Sequence, residues 1–171
     1  KPSSAASDVY KRQISMNLSI EEADAVFGRP MGIPKTGVFA LYDLIGIDLM
    51  SDVLKSFRKE LPKHDEFQKV ADGIPIIQKL IESGFTGRKG KGGFYRMKKT
   101  ENGKVMEAIN LQSADYSPSK KIDIKSDKVD LKNLINKNDK YGEYAWSVIS
   151  KIIKYSSSLV PEITDEFNDI D

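Results

Sequence analysis

The chain has no cysteine, one histidine and one tryptophan. Without thiols there is no disulfide framework and no thiolate nucleophile. The lone His64 excludes a multi-histidine metal site built by this chain, so no metal centre is expected. No apolar run reaches the roughly 18 residues of a membrane-spanning helix. The polar start lacks the apolar core of a signal peptide. Together these point to the cytoplasm and to no membrane partner. Charge of one sign is also scarce: 27 Lys and Arg against 25 Asp and Glu leave a net charge of +2. Nucleic-acid binding through bulk charge is thereby excluded. What remains, 171 residues of which 39% are hydrophobic, can bury a core as one domain or two small ones.

The ends read differently from the middle. Residues 1–13, KPSSAASDVYKRQ, are polar and without sustained periodicity, and are expected to be a non-native or disordered leader. The tail PEITDEFNDID stops mid-pattern, so the second half is expected to be truncated. Between them helices dominate. Ser19 with Glu22 three residues on is a capping box opening a helix through Ala23, Val26 and Phe27. A second helix is expected from Thr36, with Val38, Leu41, Tyr42 and Ile45 on one face. Asp48 is expected to cap a third, with a Leu49, Val53 and Phe57 stripe. A short turn follows over Asp65 to Ala71. A fourth helix starts at Gly73-Ile74-Pro75 and buries Ile76, Ile77, Leu80 and Ile81. Phe94 to Lys99 and Lys104 to Ile109 flank an Asn-Gly turn, a hairpin signature. Residues 112–127 read as loop. Helical spacing returns at Val129 to Ile135 and over Tyr141 to Leu159, where Ala145, Val148, Ile149 and Ile152 form a face with Trp146 as a nearby anchor. Pro161 breaks this helix and another is expected near Glu162. With no strand–helix–strand alternation, a parallel nucleotide-binding sheet is not expected within the chain.

Five of the twelve glycines fall in one stretch, Gly84 to Arg96, GFTGRKGKGGFYR. It is not a P-loop: position 89 is lysine, and Gly90-Lys91 is followed by Gly92 rather than Ser or Thr. It is not a dinucleotide fingerprint either, because Tyr95 stands where the third glycine belongs and a helix precedes it. From Thr86 to Lys104 there are seven basic residues against Glu101 alone. Such a patch meets RNA or a phosphate-bearing cofactor such as coenzyme A, or is a solvated hairpin edge whose lysines block strand pairing. His64 sits in a polar run with Asp65 and Glu66 as sequence neighbours only, which favours a loop histidine over a catalytic one. Asp43 is an acid on an apolar helix, costly to bury unless paired. It is either a site-lining carboxylate or a structural cap.

Two blocks carry a resemblance. Gly28 to Asp48, GRPMGIPKTGVFALYDLIGID, and Gly84 to Tyr95, GFTGRKGKGGFY, resemble the signature blocks of the 3-hydroxyacyl-CoA dehydrogenases in their C-terminal domain. The LSIEEAD helix precedes the first block as it does in that family. The longer turn at residues 33–38 and Gly90 in place of the family's threonine are more similar to long bacterial forms fused to an enoyl-CoA hydratase. The tail resembles the start of a second related helical unit.

The resemblance implies a mainly α fold of the 6-phosphogluconate dehydrogenase C-terminal-like type with one β-hairpin. Residues 14–125, including the hairpin at 94–109, would form the first helical unit and residues 126–171 the second. It implies an NAD-dependent 3-hydroxyacyl-CoA dehydrogenase of fatty acid β-oxidation as the parent protein. The NAD and the catalytic residues would lie in a Rossmann domain outside this chain, so no catalytic residue is assigned here and the chain alone is expected to be inactive. The partners implied are an acyl-CoA substrate and a second copy in a homodimer, without nucleic acid. The substrate-side residues implied are Met31, Gly32, Phe39 and Asp43, with Arg88, Lys89 and Lys91 for coenzyme A phosphates. The rival is a non-enzymatic helical module binding RNA through the basic hairpin.

Overall fold

A computed structural model describes residues 11–32, 35–70, 75–101, 103–124 and 130–166. Residues 11–15 are helical, and Gln13 is buried with its side-chain amide donating to the Leu18 carbonyl. Helix α1 (Ile20–Val26) follows, then a 3-10 turn (Arg29–Met31), α2 (Phe39–Ile45), α3 (Ile47–Glu60), α4 (Phe67–Val70) and α5 (Pro75–Glu82). Strands β1 (Tyr95–Thr100), β2 (Gly103–Ile109) and β3 (Tyr116–Pro118) come next, and α6 (Leu131–Ile135) and α7 (Lys140–Ser158) complete the described elements. The strands form one antiparallel sheet in the order β1-β2-β3. About half of the described chain is helical, so the fold is mainly α as expected.

The capping box is formed: Ser19 Oγ accepts from Glu22 N at 3.2 Å and Glu22 returns a carboxylate to Ser19 N at 2.9 Å. The same Glu22 carboxylate takes Lys140 Nζ at 2.6 Å and the Tyr141 hydroxyl at 2.9 Å. One side chain thus starts α1 and fastens α7 to it. The core gathers these two helices, the sheet, and buried residues of α2, α3, α5 and α6. Phe27 meets Tyr144 edge-on at 5.4 Å, and Phe39 meets Phe94 at 5.0 Å. Fully burying side chains of this size contributes about 1.5–3 kcal/mol each. A smaller cluster packs Leu54 and Phe67 with Phe57, Leu61 and Tyr155, tying the middle of the chain to α7.

Several expectations are corrected. Helix α2 starts at Phe39, not Thr36, and its buried face is Phe39, Tyr42 and Asp43, while Ile45 is exposed. Helix α3 buries Ile47, Ser51 and Leu54, and Leu49 faces solvent. Asp48 lies in its first turn and makes no cap; it pairs instead with Lys89 at 2.8 Å. A third strand joins the hairpin. It is three residues long and ends in Pro118, which has no N–H to donate, so it carries little pattern in sequence. Trp146 is more than half exposed, and Tyr144 takes the central position on α7. After Ser158 the described residues through 166 are turns, not a new helix. Gly73, Ile74, Asn102, Val129 and residues 167–171 fall outside the described residues.

Candidate functional site

The site is built around two carboxylates on neighbouring helices. Asp24, near the end of α1, points at the start of α2. Its carboxylate accepts the Phe39 N–H at 2.7 Å and the Ala40 N–H at 3.1 Å. A side chain fifteen residues upstream thus caps α2, where the adjoining residues supply no side-chain cap. Asp24 also accepts the Tyr95 hydroxyl at 3.0 Å. Burial pushes its carboxyl up to about 7, against the pull of those donors.

Asp43 sits one turn further along α2 and is 3% exposed. It accepts the Phe94 N–H at 2.8 Å and the Tyr95 N–H at 2.7 Å, and its own carbonyl accepts the Arg88 N–H at 2.8 Å. Burial pushes this carboxyl up to about 6, again against its backbone donors. The glycine stretch is the wrapping around it. A Cβ on Gly93 would stand 2.0 Å from Asp43 Oδ1, and one on Gly87 would stand 2.4 Å from the Asp43 carbonyl. Gly87 also has φ +102°, a conformation that side chains disfavour. Glycine at these positions is what lets the loop close on α2.

Tyr95 is therefore gripped at both ends, by Asp43 at its backbone and by Asp24 at its hydroxyl. Burial holds its phenol well above the ordinary range. These three residues floor a cleft of about 820 Å³ between α2 and the hairpin. Met97, Met106 and Ile122 line one wall, and Arg88 and Lys91 stand at the glycine side. Thr36 is among the lining residues, and its hydroxyl oxygen is buried without a hydrogen-bond partner. Behind the hairpin, Arg96 lies 3.8 Å over the Tyr116 ring and donates to Glu107 at 2.7 Å. That hydrogen bond holds the Glu107 carboxyl below its usual range. The Tyr116 hydroxyl donates to the Gly93 carbonyl, which secures β3 to the glycine corner.

Of the residues expected to line a site, Asp43, Arg88 and Lys91 meet in this cleft. Lys89 turns away to Asp48. Phe39 lies in the core against Phe94. Met31 packs on the core and Gly32 closes the 3-10 turn in the left-handed region, both off the cleft lining. His64 is exposed. Sequence reasoning passed over Asp24, Tyr95, Met97 and Met106. Asp24 carries no local signal in the sequence, and only the fold shows that it faces inward. The basic patch is smaller than its count: Lys89 is paired with Asp48, and Arg96 and Lys98 both face Glu107, which lies just beyond the stretch where charges were counted. Among the described residues, no group of three or more His, Asp or Glu is placed to hold a metal ion.

Helices packed on a short antiparallel sheet, with a glycine corner closed over a buried aspartate, define a mainly helical domain without a parallel sheet among the described residues. Residues 5–97 match the family described as 3-hydroxyacyl-CoA dehydrogenase, C-terminal domain, and the chain belongs to that family. A Rickettsia prowazekii protein named as a fatty acid oxidation complex trifunctional enzyme is 37% identical over 163 residues, 95% of this chain and 22% of that protein. A Bacillus subtilis protein named as a 3-hydroxyacyl-CoA dehydrogenase is 28% identical over 162 residues, 89% of this chain and 20% of that protein. A Caenorhabditis elegans protein of the same description is 33% identical over 95 residues, 55% of this chain and 29% of that protein. The chain spans about a fifth of the length of the first two. No solved structure matches it. Among the described residues no helix is long and apolar enough to cross a membrane.

Proposed function

We propose that this chain is the substrate-side and dimerisation domain of an NAD-dependent 3-hydroxyacyl-CoA dehydrogenase that oxidises 3-hydroxyacyl-CoA to 3-ketoacyl-CoA in the cytoplasm. The long bacterial form, fused to an enoyl-CoA hydratase, is the parent we favour, and the name of the rickettsial relative supports it. The observation that carries the reading is the convergence of family-matched residues on one cleft: Asp24, Thr36, Asp43, Arg88, Lys91 and Tyr95 all fall within residues 5–97 and all line it. The cleft has the makings of a thioester site, with cations to meet phosphate and apolar side chains to meet a carbon chain.

NAD does not fit the residues described here. A dinucleotide is held where a parallel strand turns through glycines into a helix. The described strands are antiparallel, and the glycine stretch runs from a helix into a strand. The hydride chemistry is accordingly assigned to a domain outside this chain, and no step of it is derived from these residues.

The test is reduction of acetoacetyl-CoA followed by loss of NADH absorbance. Residues 1–171 alone are expected to give no turnover, and the same residues joined to a dinucleotide-binding domain are expected to give it. Turnover by the isolated chain would overturn the division of labour. Salt-dependent RNA binding that vanishes when Arg88, Lys89 and Lys91 become alanine would favour the RNA-binding module instead.

A further inference from the structure

The hairpin face over the cleft carries an unusual pair. Met97 and Met106 are directly opposite across β1 and β2, so their side chains share one face of the sheet. They are 55% and 52% exposed, yet both line the cleft beside Ile122. The next pair on the same face, Tyr95 and Ala108, dips into the core. The face therefore runs from buried to apolar-and-wet within two residues, a step of ~7 Å along a strand. Methionine suits such a wall, because its unbranched, polarizable side chain adapts to varied apolar shapes. At the glycine side Arg88 stands near enough to Asp43 for its charge to pull that carboxyl down, but among the described residues it forms no close ion pair. Lys91 Nζ donates to the Ser83 carbonyl at 3.3 Å. A volume of about 820 Å³ falls within the span of ligand sites, about 300–1,000 Å³.

We propose that this cleft holds the apolar arm of an anionic amphiphile, the acyl chain of a coenzyme A thioester. Met97, Met106 and Ile122 form the wall that sets how long an arm is held, and Arg88 and Lys91 meet the phosphates. The proposal rests on the acyl-CoA reading above and adds the residues that set chain-length preference. Apolar chain leaving water tightens binding by about fourfold per methylene. Affinity should therefore climb with acyl length as far as the wall extends, and level off beyond it.

The experiment titrates residues 1–171 calorimetrically with coenzyme A and its butanoyl, hexanoyl, octanoyl and decanoyl thioesters. The wild-type series is expected to rise with length. The double variant Met97→Thr/Met106→Thr is expected to flatten it. Threonine keeps strand propensity, and both methionines are more than half exposed, so a melting midpoint matching wild type will establish that the fold is kept. Arg88→Ala/Lys91→Ala is expected to weaken every member of the series by the same factor, coenzyme A included. A rise that survives the methionine changes would overturn the proposal and leave the dehydrogenase reading standing, since that reading is tested separately by turnover of the joined chain. Absence of any rise in the wild type would overturn it equally. Binding of free octanoate as tight as octanoyl-CoA, and indifferent to Arg88 and Lys91, would assign the wall to free fatty acids and overturn the thioester proposal.

Discussion

Gly93→Ala isolates the contact on which the glycine corner depends. The backbone at Gly93 is not among the positive-φ glycines, so an alanine there suffers no conformational penalty of its own. The cost is a collision: the new Cβ would lie 2.0 Å from Asp43 Oδ1 and 2.8 Å from Ile47 Cδ1. Asp43 must move, and in moving it releases the Phe94 and Tyr95 N–H groups, held at 2.8 and 2.7 Å. Each hydrogen bond to a charged group is worth about 1.5–3 kcal/mol, so the expected loss for the two is about 3–6 kcal/mol. That is about a fifth or more of the total stability of an ordinary domain, about 5–15 kcal/mol. With a slope of about 2 kcal/mol/M, the urea midpoint should fall by about 2 M. Asp43→Ala closes the cycle. It strands the same two N–H groups but leaves the added methyl nothing to strike at Oδ1, so Gly93→Ala should cost clearly less in the Asp43→Ala background, where only the approach to Ile47 Cδ1 remains. A single-variant loss below about 1 kcal/mol, or an additive double variant, would refute the account, because residues in direct contact must couple.

Asp24→Ala leaves the Phe39 and Ala40 N–H groups and the Tyr95 hydroxyl without their acceptor and is expected to cost about 2–4 kcal/mol, whereas Tyr95→Phe removes one hydrogen bond and should cost about 1 kcal/mol, both read from denaturant midpoints. Stability should fall as pH rises from about 4 to about 7. The carboxyls of Asp24 and Asp43 are raised from 3.8 to about 7 and about 6, so across that window the folded state holds protons that the unfolded chain has released. Their contribution is complete below about 4 and gone above about 7, and Asp24→Asn should flatten the slope in urea titrations run across that range. Arg96→Ala should destabilise more than Lys98→Ala, since Arg96 both stacks on Tyr116 and bonds Glu107 at 2.7 Å while Lys98 stands off at 3.4 Å; thermal midpoints of the two variants decide it.

Local chemistry was legible in the sequence wherever neighbours along the chain settle it. Ser19 and Glu22 are three residues apart, and a capping box needs nothing more. Ile76, Ile77 and Leu80 share a face by helical period alone, and the hairpin itself follows from turn residues between two short runs, although its register, Thr100 opposite Gly103, places Gly103 in the strand rather than the turn. The two blocks around Met31 and Gly84 also sufficed for the family, because their residue types and separation are distinctive without any knowledge of what they touch. Three-dimensional packing decided the rest. Asp24 caps a helix fifteen residues away and meets a tyrosine seventy-one residues away, partners that no local period can disclose. Helices α2 and α3 present other faces than their apparent stripes: α2 buries Asp43, whose backbone donors come from Phe94 and Tyr95, and α3 buries Ile47, Ser51 and Leu54. The glycines of 84–93 announced a special backbone. That the object they wrap is one carboxylate on another helix, and that the strand beyond them turns two methionines into a cleft, follows from long-range contact alone.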